Sequence, residues 1–219
     1  MKIKKIIILL MGAVAISALL CSCEKDRKLK EMLEEAHDAV YGRYELIEME
    51  WLDNSALDLD GDGNASDNLL LEFSNLFDEH TMDFKLHDSR ISTDGVMRYP
   101  DPTVEQLRRG AMSLTIPFQS IEETVLNGET FYRTSPIFMS FGTRYEVCDD
   151  GSYVVETINP NWSDSQSLDM SHLRDMIVTI PSPGRIQMDV DCMFYDRRTE
   201  KLVSGPVRFR FARYTAQGK

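Results

Sequence analysis

The chain has 219 residues, 36 of them acidic against 24 Lys and Arg, for a net charge of −12. Such a surface excludes nucleic acid as a partner and disfavours adhesion to anionic lipid heads, while remaining compatible with divalent cations. The length suits a single sizeable domain.

The chain opens with Lys2, Lys4 and Lys5, then an unbroken apolar run from Ile6 to Leu20. That run is short of the roughly 20 apolar residues of a transmembrane helix and matches the core of a secretory signal. Cys21 and Cys23 compete as the cleavage cysteine. Leu20, Cys21 and Ser22 precede Cys23, placing a small residue at the cleavage point, whereas bulky Leu20 precedes Cys21. The segment resembles the lipobox of bacterial lipoproteins. The resemblance implies residues 1–22 as signal peptide, a diacylglycerol thioether and an acylated amino group on Cys23, and membrane anchoring by several acyl chains. Glu24 and Asp26 resemble a tag for the outer cell surface in gut-associated Gram-negative bacteria, diluted here by Lys25, Arg27 and Lys28. The expected address is the outer membrane, facing the cell surface, with a periplasm-facing anchor as the fallback. Loss of the signal's three lysines makes the remaining chain, 23–219, still more acidic.

Residues 25–40 place Leu29, Met32, Leu33, Ala36 and Val40 at helical spacing, with Lys and Glu on the other face. This face is expected to pack on the domain, the alternatives being the membrane surface or a partner. Gly42 then opens a strand, Tyr44–Trp51. Its apolar face switches near Leu46–Ile47, which predicts a bulge.

The loop Asp58–Asp67 carries the clearest chemistry. Calcium takes about six to eight oxygen ligands around a sharply turned loop. Asp58, Asp60 and Asp62 stand at relative positions 1, 3 and 5, Gly63 at the turn, Asn64 at 7 and Ser66 at 9. The spacing resembles the calcium loops of EF-hands and dockerins. Position 12 is Leu69, which cannot ligate; Asp67, two residues early, or Glu72, three late, would have to close the shell. A dockerin needs two such loops, and this chain has one. The expected cofactor is therefore a structural calcium ion, the alternative being an acidic turn that serves capping. Asn68–Phe77 reads as a short buried helix with Asp67 or Ser66 at its cap.

The remainder reads as strands: Met82–His87, Arg90–Arg98, Met112–Gln119, Phe131–Arg133, Phe138–Val147, Ser152–Ile158, Met176–Ile180, Arg185–Tyr195 and Pro206–Tyr214. Asp94-Gly95 and Asp150-Gly151 are hairpin turns. Thr103 with Gln106 forms a capping box for a short helix ended by Gly110. The last two strands form a hairpin around Arg197–Gly205. Many strands and no βαβ rhythm predict a mainly β fold, an antiparallel barrel or sandwich with an N-terminal helix and one or two short helices. An oxidising compartment permits a disulfide between Cys148 and Cys192.

Gly42-Arg43-Tyr44, the Asp58–Ser66 loop and Leu70-Leu71-Glu72 together resemble lipocalin-like lipoproteins of gut-associated Gram-negative bacteria. Tyr44 stands where that pattern has Trp. The resemblance implies an antiparallel calyx and a basic residue of the last strand over that aromatic, with Arg208, Arg210 or Arg213 as candidates. It names no ligand.

Other constellations carry less. His80 and His87, with Glu79 and Asp83, fit no compact zinc motif. The pairs Glu122-Glu123 and Asp149-Asp150 read as solvated, and no nucleophile elbow or phosphate loop occurs. Trp162, in a polar loop, is an aromatic that could stack on a sugar. The expected role is a non-catalytic binding module for a small apolar ligand or a glycan, the alternative being a filled barrel that docks on an envelope protein; a hydrolase is the remotest reading.

Overall fold

The computed structural model describes residues 24–79, 89–93, 102–156 and 173–214. The segment expected to be a signal peptide, with Cys23, the strand expected over Met82–His87, the Asp94-Gly95 turn, His80, Asp83 and Trp162 lie outside the described residues.

Eight antiparallel strands form one sheet that curls into a nearly closed barrel. They are β1 (Gly42–Trp51), β2 (Arg90–Thr93), β3 (Arg109–Leu126), β4 (Glu129–Val147), β5 (Tyr153–Val155), β6 (Leu173–Ser182), β7 (Arg185–Asp196) and β8 (Lys201–Arg213). The lateral order β5-β4-β3-β2-β1-β8-β7-β6 is an up-and-down meander in which the first strand pairs with the last. The expected bulge is present: the β1–β8 register shifts between Leu46 and Glu48, leaving Ile47 exposed while Tyr44, Met49 and Trp51 all point inward. Alternation does the rest. Ile186, Met188, Val190, Cys192 and Phe194 on β7 and Val207, Phe209 and Phe211 on β8 are all buried, while Arg208 and Arg210 pair outside with Asp189 and Glu48.

Two stretches read separately from sequence are one element. Phe131–Arg133 and Phe138–Val147 are both part of β4, which pairs with β3 over 18 register positions. The turn between them, Asn127-Gly128, has positive φ at both residues (54° and 85°), the hairpin signature of type I′. The Asn-Gly pair was the available signal for it. Likewise β8 begins at Lys201 rather than Pro206, so the last hairpin turns within four residues, Arg197–Glu200. Cys148 and Cys192 are both free thiols, with Cys192 buried on β7; the disulfide considered from the sequence is not made.

A helix closes each end of the barrel. α1 (residues 24–40) buries Leu33, Ala36 and Val40, the face its periodicity predicts, so its apolar stripe packs on the domain. Its carbonyls are satisfied by the barrel rim: Tyr153 donates to Ala36 O at 2.8 Å, Tyr44 to Val40 O at 2.7 Å, and Arg213 to Ala39 O. Arg213 also lies over the Tyr44 ring, 5.7 Å from its centroid. Of the three candidate arginines it is the one that takes this place, while Arg208 and Arg210 face outward. At the other end α2 (Leu69–Glu79) presses Leu69, Phe73, Leu76 and Phe77 against Trp51, Phe194 and Phe138; the Phe77 and Phe138 rings stack at 4.8 Å. Asn68, rather than Asp67 or Ser66, caps α2 by accepting from Leu70 N. The short α3 (Val104–Leu107) has the expected capping box, but ends at Arg108; Gly110 belongs to β3.

Sequence reading did not anticipate His37. Its Nε2 donates to the Leu107 carbonyl, which leaves Nδ1 to accept from Tyr145 OH at 3.0 Å. Burial pushes its pKa down, outweighing the opposing pull of the Leu107 carbonyl and Asp38. The folded state therefore favours neutral His37, and its contribution is complete above the ordinary histidine value near 6.5 and lost as pH falls below it. Urea melts at pH 7.5 and 5 should show that acidification shifts the stability of the parent less favourably than that of His37→Gln; equal shifts in both would remove His37 from the account. Tyr145 in turn needs Gly110, its cross-strand partner, because a Cβ there would overlap the phenol ring. Gly110→Ala is expected to cost about 1–3 kcal/mol by overpacking, read as a lowered melting temperature.

Candidate metal site

The loop after β1 is closed by an isolated bridge between Leu57 and Ser66, whose backbones exchange hydrogen bonds at 3.0 and 2.8 Å. Between them the chain turns back sharply. Gly61 and Gly63 have φ of 84° and 88°, where a side chain is strained, and a Cβ at Gly61 would also press on Arg197 Cδ. The carboxylates hold this turn by accepting its amides. Asp58 takes Gly61 N at 2.6 Å and Gly63 N at 3.0 Å, and Asp60 takes Asp62 N at 3.0 Å.

Asp58, Asp60 and Glu72 converge, each offering an oxygen within 4.8 Å of the others. All three are buried, at 1, 5 and 2 % exposure. Glu72, from the first turn of α2, is the residue that completes the group, resolving the ambiguity left by Leu69 at position 12. It accepts from Leu59 N at 2.9 Å. Asn75, one turn further along α2, donates to Asp60 at 2.6 Å. Arg197 donates to the Asp60 carbonyl oxygen rather than to a carboxylate. Ion pairs of the described residues lie elsewhere, among them Arg108–Asp149, Arg208–Asp189 and Arg210–Glu48.

The remaining expected ligands serve the turn. Asp62 and Asn64 are exposed and bond to each other, with Asn64 N at 2.7 Å from Asp62. Ser66 Oγ accepts from Asn68 N, and Asp67, also exposed, gives its carbonyl to Trp51 N. Sequence reasoning missed Asn75, Asp196 and Arg197. Asn75 was within reach, three residues after Glu72 on one helical face. Asp196 and Arg197 had no local signal, since only the β7–β8 turn brings them beside the loop. There Asp196 accepts from Asp58 N at 3.0 Å and Thr199 holds its other oxygen at 2.5 Å.

This buried setting disfavours the ionisation of Glu72. Desolvation first, with Asp60 and Asp58 adding repulsion, pushes the Glu72 pKa up to about 7. Hard oxygens from two carboxylates of a turned loop and one of a helix are the donor set that calcium prefers. Comparison with protein-family models, curated proteins and solved structures returned no match, so the site is read from its own residues.

The metal-free folded chain keeps a proton on Glu72 that the unfolded chain releases above about pH 4.5. Its stability contribution from this group is therefore full below that value and lost as pH rises through about 7. Glu72→Gln, which removes the charge and keeps the shape, should raise the melting temperature at pH 8 in the presence of chelator. Millimolar calcium is expected to raise the melting temperature of the parent, and the same variant should lose that rise, by differential scanning fluorimetry. A parent protein indifferent to calcium would reduce the loop to a capped turn.

Proposed function

We propose that the chain is a non-catalytic, lipid-anchored protein of the outer membrane whose calcium-stabilised barrel serves as a scaffold that docks on another envelope protein. The observation that carries this reading is the content of the barrel. Tyr44, Trp51, Tyr145, Phe194, Phe209 and Phe211 are among its largest side chains, all fully buried, and helices lie across both ends. A calyx for an apolar ligand keeps such space open, whereas here the inward positions are taken by the protein itself. The lipid on Cys23 and the outward-facing address rest on the N-terminal sequence, and the likeness to lipocalin-like lipoproteins supports the same setting.

The alternative, a small-ligand or glycan module, draws on a feature of the described residues. A cavity of about 200 Å³ opens on the barrel wall, lined by Arg174, Asp191, Cys192, Met193, Ser204, Gly205 and Pro206. That volume is below the roughly 300–1,000 Å³ of ligand pockets, and none of its lining residues is aromatic, so it offers no ring for sugar stacking. The docking reading is therefore the better supported.

Two measurements test it. A Cys23→Ala variant should leave the membrane fraction; retention there through processing at Cys21 would move the lipid to Cys21. Titration of the purified protein with an anilinonaphthalene sulfonate dye should give no saturable binding and leave tryptophan emission unchanged. Stoichiometric saturation of the dye would restore a calyx function.

A further inference from the structure

The β3–β4 hairpin extends past the strands described beside it. Among the described residues, β2 pairs with β3 at Ser113–Thr115, and β5 with β4 at Tyr145–Val147. Among the described residues the distal part, 121–132, is thus a two-stranded ribbon that no third strand supports, a structure of marginal stability on its own. Its tip nonetheless presents Val125, Leu126 and Phe131 at 60, 58 and 49 % exposure. Alternation and register put Leu126 and Phe131 on one face and Val125 on the other.

The root of this arm is held firmly. Gln119 accepts from Tyr195 N at 2.7 Å and donates to Tyr195 O at 3.4 Å, and the Tyr132 and Tyr195 rings meet at 5.3 Å. Arg197 ties the arm to the acidic loop, donating to Thr134 Oγ1 at 3.3 Å and to the Asp60 carbonyl at 3.1 Å. A fixed root pre-organises the tip and reduces the ordering cost of binding.

The charge at the tip selects among occupants. Glu122, Glu123 and Glu129 surround the apolar residues, and Arg133 is the single basic side chain between residues 121 and 133. Anionic lipid heads repel this rim, and a second copy would bring the same carboxylates face to face. Apolar anchors inside a polar rim are the anatomy of a protein–protein contact. Resting on the reading that the packed barrel docks on a partner, we infer that the hairpin tip is the docking element and that it enters an apolar pocket edged with Lys and Arg on another protein.

The test is photo-crosslinking in intact cells making the full chain, with a photoreactive residue at Leu126 and, as a control, at exposed Glu146 on the barrel wall. The tip should give one discrete protein adduct, with the joined peptide lying among apolar residues flanked by Lys or Arg. Its yield should fall about tenfold or more in the triple variant Glu122→Lys, Glu123→Lys, Glu129→Lys. That variant alters exposed side chains, so an unchanged melting temperature separates lost docking from lost folding. An adduct at twice the chain's own mass, an adduct with lipid, or a yield indifferent to charge reversal would each overturn the inference. Crosslinks from Glu146 and none from Leu126 would overturn the tip while leaving the docking scaffold standing; none from either position would remove both.

Discussion

The antiparallel seam between β1 and β8 is the constraint on which the rest depends. It pairs Tyr44 with Arg213 at one end and Trp51 with Val207 at the other, joining the first strand of the chain to the last. Without it the strands fall into two separate sheets, β1–β5 and β6–β8, because β5 and β6 share no backbone ladder among the described residues. With it, Arg213 reaches both the Tyr44 ring and the carbonyl end of α1. The same seam carries the β7–β8 turn to the loop that leaves β1, where Arg197 N meets Asp58 O at 2.8 Å.

From that junction the two ends of the barrel acquire different characters. The α1 end is closed by a helix whose carbonyls accept from Tyr153, Tyr44, Arg213 and Thr93, with one buried neutral histidine beside them. The α2 end is closed by aromatic packing, and beside it three carboxyl groups are held out of water. Burying them is unfavourable unless a proton or a cation intervenes. Glu72 can take the proton; a calcium ion would use all three. Either way, Arg197 links this loop to the root of the long hairpin, so the acidic loop, the β7–β8 turn and the arm form one connected region.

That connectivity suits the scaffold role proposed for the filled barrel. A barrel whose interior is occupied by its own aromatic side chains gives up the cavity but gains a rigid body. Its pre-organised projections then become the surfaces on which function can reside. The acidic rim of the arm and the acidity of the whole chain support the proposed docking on a partner that carries positive charge.

Periodicity in the sequence determined the elements themselves. The helical stripe Leu29–Val40, the alternation along β7 and β8, the switch of face at Leu46–Ile47 and the Asp-Gly-rich turn all follow from local residue patterns, because side-chain direction repeats every 3.6 or 2 residues. The oxygens of Asp58 and Asp60 were legible for the same reason, as was Glu72 as a candidate. What the sequence left open was every relation between distant segments. Closure of the sheet into a barrel, the choice of Arg213 over Arg208 and Arg210, the pairing of His37 with Tyr145, and the arrival of Asp196 and Arg197 at the loop depend on which strand lies beside which. The choice of Glu72 over Asp67 as the third carboxylate depends on how α2 docks after its cap. Strand order and helix docking are fixed by collective burial across the whole core, and no local pattern encodes them.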